Sequence, residues 1–479
     1  MPAVVRRIPA WAVMLALVLL AGAALRVDAA VHHGRFLSTD ERAYARLAVG
    51  LETTGRYAAP GMRDPVHWPP GTPAFFAVAR QLGGGADRAD LDPPAIYAAQ
   101  AAVGVALIAV VALLAWLLAG PWAGVLAAAA VALYPPLSRI TGDVVSEPLG
   151  ALTLATAVLL LAWAWRAEER GDGRRAGAPG PWRWWLAGAV LGLCILVRAD
   201  LLMVPAVLAV LVAAILWRRR GARWALGTAA GVLAAAMLVL APWAGHVTQL
   251  RGGQLTPVTT SSWSSLFVAT YLPGDGGMTG LKRELGDEAR RHNPRWRDVP
   301  DWRLRATWVL DAVAARHPEL GRSEALRRET LANLRRYALG DPAGFAGMQT
   351  RKVARMWLGY NRGTHIAPRT WILAVHLSFA ALGLAGLLWG LWRTRHPMIL
   401  MILAIVVVGT AVNAFFVAEA RHNARFMPLL LAGGAAGLVL SRRPSAARAP
   451  AGRSGPPRGS GAAPPRPGAE RARAAAGAR

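Results

Sequence analysis

Apolar residues run through the chain in blocks of about 17 to 25, long enough to cross a bilayer, each ended by charged or Pro/Gly-rich residues. The blocks are Ala10–Leu25, Ile96–Ala119, Trp122–Leu137, Val144–Trp165, Trp184–Val197, Leu201–Trp217, Trp224–Trp243, Trp371–Trp392, Pro397–Val417 and Phe426–Leu440. The pattern predicts an all-α polytopic membrane protein of about ten transmembrane helices. Between the blocks the period changes. Tyr44, Leu47, Ala48 and Leu51 recur at three- and four-residue spacing, so Asp40 to Leu51 is expected as a short amphipathic helix on the bilayer surface, and Pro73 to Leu82 as a second. Glu324 to Tyr337 and Phe345 to Trp357 also read as helices, the latter on the bilayer. Pro242 to Pro273, rich in Thr, Ser, Gly and aromatics, reads as extended or looped.

The expected organisation is an N-terminal transmembrane module, 1–243, whose first external loop is 28–94, then a mixed external segment, 244–370. The last membrane helices, 371–440, follow, and then a basic tail, 441–479, with almost no large apolar residue, expected to be disordered. Arginines ahead of Pro9 to Leu25 imitate a secretory signal. The apolar run is long and an acidic stretch follows at once, so it reads as a retained first helix.

Composition supports the membrane reading and adds a direction. Of 479 residues 54% are hydrophobic, and 54 Lys and Arg face 27 Asp and Glu. Such a basic balance suits nucleic acid or anionic lipid. The arginines sit in short connections and in the tail, with no basic helix interleaved with aromatics, so membrane lipids and not nucleic acid are the expected partners. Arg6 and Arg7, Arg166 to Arg183, Arg218 to Arg223, Arg393 and Arg395, and the tail all fall on one side of a ten-span chain. The positive-inside rule makes that side cytoplasmic, with both termini inside a multi-pass cell-membrane protein. The single Cys194 lies in an apolar run and excludes an intramolecular disulfide or a cysteine metal cluster.

Asp28 to Pro94, Ser138 to Glu147, Arg198-Ala199-Asp200, Ala244 to Thr370 and Glu419 to Arg425 then fall on the outer face. Ionisable residues at such depths are costly unless paired or used. Asp40-Glu41 follows the first span, where a partly desolvated carboxylate suits a general base acting on a lipid-held substrate. The same pair equally suits the first turn of a helix capped by Ser38 or Thr39. Asp143, Glu147, Arg198, Asp200, Arg421 and Arg425 are the other candidates. Guanidinium groups can hold phosphate oxygens bidentately with no nucleotide or metal required, though snorkelling to headgroups explains Arg198 and Arg421 as well. No metal-ligand spacing, P-loop or dinucleotide fingerprint is recognisable, and no cofactor is expected.

Several motifs follow in order: Ala-Leu-Arg before the first loop, Asp40-Glu41 with Tyr44 and Ala48, Gly55-Arg56-Tyr57, Trp68-Pro69-Pro70-Gly71-Thr72-Pro73, Ser146-Glu147-Pro148-Leu149, Val197-Arg198-Ala199-Asp200, Pro242-Trp243, and Arg425-Phe426-Met427-Pro428. Over roughly Arg26 to Gly437 the chain resembles the polytopic glycosyltransferases related to protein O-mannosyltransferases and lipid A aminoarabinose transferases, glycosyltransferase family 39 of the C-type clan. The resemblance implies transfer of a sugar from a polyprenyl-phosphate-linked donor to an acceptor hydroxyl on the extracytoplasmic side, with inversion. It makes Asp40 the catalytic base, with Glu41, Asp143 and Glu147 positioning or sharing that work. Arg198, Arg421 and Arg425 become candidates for the lipid phosphate, and Tyr44 and Asp200 lie in the matching motifs. His67, where some relatives have lysine, is a weaker phosphate candidate, and His246-Val247 stands where many relatives have Arg-Asn. The acceptor, whether protein, lipid or glycan, is not named by any motif. Alternatives are a lipid-linked-glycan polymerase or ligase, a lipid or sugar transporter, and a scaffold presenting 244–370. A transporter would carry polar groups near mid-span, and here they gather at one end of mostly Ala, Leu, Val and Gly helices.

Overall fold

The computed structural model describes residues 8–32, 37, 39–59, 62, 64–85, 90–170, 181–301, 303–359 and 370–442. The basic tail beyond Arg442 and the capping position Ser38 lie outside the described residues. In chain order the helices are α1 (Ala10–Val31), α2 (Thr39–Thr54), α3 (Gly71–Leu82), α4 (Pro94–Ala119), α5 (Pro121–Leu133), α6 (Pro135–Arg139), α7 (Glu147–Glu169), α8 (Trp182–Val197) and α9 (Val204–Arg220). They continue with α10 (Ala222–Leu250), α11 (Ser262–Thr270), α12 (Met278–His292), α13 (Ala306–Ala314), α14 (Arg322–Asn333), α15 (Pro342–Leu358), α16 (Thr370–Thr394), α17 (Pro397–Phe415) and α18 (Met427–Ser441). No strand occurs among the described residues.

Prolines punctuate this series. Pro94, Pro121, Pro148, Pro205, Pro397 and Pro428 stand in first turns, where a missing N–H costs nothing and the fixed φ favours the helix. Seven helices among the described residues are long and apolar enough to cross a membrane: α1, α4, α7, α9 with its preceding turn, α10, α16 and α17. The shorter apolar helices α8 and α18, and a bent pair, complete a polytopic all-α membrane protein.

The bent pair corrects the sequence reading of Trp122–Leu137 as one run. The chain turns by 61° between α5 and the segment from Pro135 to Gly142, because Pro135 and Pro136 cannot donate back to α5. Arg26 of α1 supplies the missing donors. It is fully buried and donates to Val131 O at 3.0 Å and to Ala132 O at 3.3 Å. A second correction concerns Pro242 to Pro273. Helix α10 runs on through Pro242 to Leu250, and Ser262–Thr270 is helical, so this region is less extended than its composition suggests.

Helix α18 is apolar all round and is buried from Met427 to Gly437, as expected of a helix enclosed by others. Glycine permits its approach to α16: a Cβ on Gly437 would meet Gly386 O at 2.2 Å. Outside the span ends, Phe267, Leu281, Leu285, Val309, Leu310, Val313 and Leu326 of α11 to α14 form a separate small core, with Val417 packed against it. Val417 lies two residues before Glu419 in sequence, so the core adjoins the turn that carries Glu419 and Arg421.

Candidate active site

Four charge-bearing segments meet at one end of the bundle: the start of α2, the turn before α7, the turn after α8 and the turn between α17 and α18. Helix α2 buries Tyr44, Leu47 and Ala48, and Asp40, four and seven residues ahead of Tyr44 and Leu47, continues that same face into the first turn, with Glu41 beside it. Glu41 Oε1 accepts from Val144 N at 3.1 Å, which ties α2 to the turn before α7. Gln100 of α4 holds the same turn from the other side, donating to Asp143 O and Val145 O, both at 2.9 Å. Glu147 then opens α7, where a carboxylate is favoured by the helix dipole.

Ser146 links three elements. Its hydroxyl oxygen accepts from Arg198 Nη1 at 2.8 Å and from Tyr44 OH at 3.3 Å. Arg198, just past α8, also reaches Glu147 Oε1 at 3.3 Å and Asp200 Oδ1 at 3.4 Å. Asp200 in turn pairs with Arg425, whose Nη1 donates to Asp200 Oδ1 at 3.2 Å and whose Nη2 donates to Asn413 Oδ1 at 2.9 Å.

The 3₁₀ turn Ala420–Arg425, between α17 and α18, brings the remaining charges. Arg421 Nη2 donates to Asp40 Oδ2 at 2.6 Å across 381 residues of sequence. Its Nε donates to Glu419 Oε2 at 3.1 Å and stands 3.8 Å from Glu147 Oε1. Glu419 and His422 cap the turn reciprocally, and Asn423 Nδ2 donates to Met356 O at 2.7 Å, fastening the turn to α15.

All ten residues singled out in the sequence therefore belong to one neighbourhood, though in different ways. Asp40, Glu147, Arg198 and Arg421 form a continuous ion-pair chain, with Tyr44 joined through Ser146. Asp200 and Arg425 extend it inward. Glu41 bonds to backbone, while Asp143 and His67 approach close enough for their charges to act on Glu41 and Asp40 respectively. Arg425 has no exposed side-chain surface and lies over the Phe426 ring, so it can act on a substrate only through Asp200 and Asn413. Sequence reasoning passed over Asn413, Gln100 and the role of Ser146. A lone amide inside an apolar run is the signal that points to the first two.

Burial works to raise the Asp40 carboxyl, but the charge and hydrogen bond of Arg421, aided by His67 and Arg198, hold it below the usual carboxylate range. Arg421 is held well above the ordinary arginine value, because Asp40, Glu419 and Glu147 outweigh its burial. Asp143 behaves oppositely: burial, then the neighbouring Glu41 and Glu147, pushes it up to about 7. Burial and the three nearby arginines push His422 well below the ordinary histidine value, and burial lowers His67 despite Asp64 and Asp40. The neighbourhood thus offers an ionised carboxylate open to solvent, a protonatable carboxyl and guanidinium groups. No group of three side chains suited to a metal ion converges among the described residues.

No protein-family model and no curated protein matches the chain. Solved structures do. The apo oligosaccharyltransferase of Archaeoglobus fulgidus aligns over 89% of this chain at 16% identity with a TM-score of 0.52. The oligosaccharyltransferase AglB of the same organism, in complex with an inhibitory peptide and a dolichol-phosphate, aligns over 88% at 16% identity with a TM-score of 0.51. ArnT from Cupriavidus metallidurans, bound to undecaprenyl phosphate, aligns over 89% of this chain and 78% of its own at 15% identity, with a TM-score of 0.40 that carries no argument. The chain spans about half the length of the oligosaccharyltransferase structures, 50% in both. At that identity the likeness establishes the fold: the membrane-helix architecture of this chain is that of the oligosaccharyltransferase.

Proposed function

We propose that the protein is a membrane glycosyltransferase that moves a sugar from a polyprenyl-phosphate-linked donor to an acceptor hydroxyl, with inversion at the anomeric carbon. The observation that carries the proposal is the Asp40–Arg421 pair, set among Glu147 and Arg198 at one end of the bundle. A base and phosphate-binding cations are the two needs of this reaction, and here they meet within one side-chain shell. The shared fold with an oligosaccharyltransferase and the ordered sequence motifs support the same reading.

In the proposed reaction Asp40 accepts the proton of the acceptor hydroxyl as its oxygen bonds to the anomeric carbon. The bond from that carbon to the phosphate oxygen breaks, and the electron pair leaves with the phosphate. A phosphate is a good leaving group, so no general acid is needed. Arg198 and Arg421, 14% and 25% exposed, are the guanidinium groups that can reach a lipid phosphate. Glu41 and Tyr44 position α2, and Asp143, Glu147 and Asp200 position the arginines. His67 is placed to contact donor or acceptor beside Asp40. The arginine-rich connections at the opposite end of the bundle support, by the positive-inside rule, a cytoplasmic location for that end and for both termini, with transfer on the outer face of the cell membrane. The acceptor, a protein, lipid or glycan, docks from that face.

The test uses membranes containing the full chain and radiolabelled polyprenyl-phosphate sugars, following which macromolecule becomes labelled. Label transfer by the wild type and its loss in Asp40→Asn, with equal amounts of inserted protein, is the expected result. Undiminished transfer by Asp40→Asn would remove Asp40 from the base role.

A further inference from the structure

Arg421 and Arg425 share one 3₁₀ turn yet differ in freedom. Arg425 is wholly buried and fixed by Asp200 and Asn413. Arg421 is 25% exposed, and its tightest partner, Asp40, is 37% exposed. The charge balance around them is unusual for a site that would receive a phosphate. Six carboxyl groups, Asp40, Glu41, Asp143, Glu147, Asp200 and Glu419, share the neighbourhood of three arginines, Arg198, Arg421 and Arg425. His67 and His422 are pushed toward neutrality and offset little of this.

All three guanidinium groups already face carboxylates. An arriving phosphodiester, a monoanion, must therefore draw one of them away. Arg425 cannot leave without stranding buried Asp200 and Asn413. Arg198 is braced by Ser146, Glu147 and Asp200 together. Arg421 alone of the three is both accessible and bonded chiefly to an accessible acid. The acid it would release is the one placed as base.

We infer that Arg421 is handed from Asp40 to the phosphate of the lipid-linked donor, so that arrival of the donor is what frees the base. The inference rests on the transferase reading above. The handover follows the charge of the reaction. The acceptor oxygen bonds to the anomeric carbon, the carbon–oxygen bond to phosphate breaks, and the hydroxyl proton goes to Asp40. Asp40 thereby passes from anion to neutral acid, and the phosphate passes from monoanion to dianion. A guanidinium left on Asp40 would oppose both changes, whereas one moved to the phosphate favours both. Until then the pair keeps Asp40 a poor base.

The experiment reads Asp40 directly, without needing turnover. Purified full-length protein in detergent is treated with a water-soluble carbodiimide and a glycine ester across a pH series, and labelling at Asp40 is quantified by peptide mass spectrometry. Carbodiimide takes the protonated carboxyl, so the labelling midpoint tracks the basicity of Asp40. With undecaprenyl monophosphate added, the wild-type midpoint should rise by about one pH unit or more, as expected for a carboxylate that loses a close cation. Arg421→Gln should show the raised midpoint without lipid, no further rise with it, and roughly tenfold weaker binding of undecaprenyl monophosphate, the loss of one charge-assisted contact. Arg421→Lys, which keeps the charge, serves should the Gln variant fail to fold, and should bind the lipid more weakly while still showing the rise. A wild-type midpoint unmoved by bound lipid overturns the handover. If that result accompanies label transfer that Asp40→Asn abolishes, the transferase reading stands without it. Failure of the wild type to bind undecaprenyl monophosphate overturns both.

Discussion

Arginine serves two different purposes at the two ends of this helical bundle. At the site end, Arg198, Arg421 and Arg425 are drawn into a network of carboxylates that runs from part-exposed Asp40 to buried Glu147. At the opposite end, Arg183 lies over the Trp163 ring at 4.6 Å, Arg219 over Trp165 at 4.3 Å, and Arg393 over Trp389 at 5.7 Å. A part-buried ion pair occurs there too, Arg220 with Glu168 at 2.8 Å. Stacking on tryptophan at a span end is how arginine settles between headgroups and hydrocarbon, and it asks little of the fold. Gathering six carboxyl groups beside three guanidinium groups, with Glu147 and Arg425 buried, is a different matter. Desolvation of each ion consumes most of what attraction returns, so such a cluster is poor stabilisation. Among the described residues of the bundle, such a cluster occurs at the site end.

The contrast can be broken at several points. The largest effect is expected from Asp40→Asn, which should lower transfer by about 10²–10⁴-fold, the usual worth of a general base, with unchanged insertion. Asp200→Ala should be next, because it strands the buried Arg425 and leaves Arg198 with one acid fewer. A loss of about 3–5 kcal/mol is expected for breaking a buried pair, read as a lower thermal unfolding midpoint in detergent.

Asp143 gives a pH test with a definite sign. Its folded value of about 7 lies above the ordinary 3.8, so the folded protein holds this proton more tightly than the unfolded chain. The contribution is fully present below about pH 4 and is lost as pH rises toward 7. Asp143→Asn should flatten that slope in unfolding midpoints measured from pH 4 to 8. The smallest effect is expected at the other end. Arg219→Ala removes one cation–π contact made by an exposed arginine, should cost about 1 kcal/mol, and should leave transfer unchanged. A large loss of transfer in Arg219→Ala would erase the distinction between the two ends.

Much of this architecture is legible in local sequence. The apolar blocks and prolines mark the membrane helices, because a span must satisfy its backbone internally and must match the bilayer in length. The three- and four-residue spacing of Tyr44, Leu47, Ala48 and Leu51 foretells α2, observed from Thr39 to Thr54. Period alone hid the break at Tyr134, since the residues on both sides are apolar and only the Pro135-Pro136 pair betrays the turn. It also missed the continuation of α10 through Pro242, where α8 and α9 pack alongside and hold the helix.

For the site, the sequence by itself supplied the inventory: which acids and arginines stand at span ends, and that they fall on one face. Helical topology dictates this, because an odd or even number of crossings assigns each connection to a side. Who pairs with whom belongs to tertiary structure alone. Asp40 meets Arg421 across 381 residues, and Arg198 and Tyr44 share Ser146. Such contacts depend on how α2, α7, α8 and α18 pack in three dimensions, and neither period nor spacing encodes them. The same packing sets Arg421 apart from Arg425, leaving one guanidinium reachable and the other sealed.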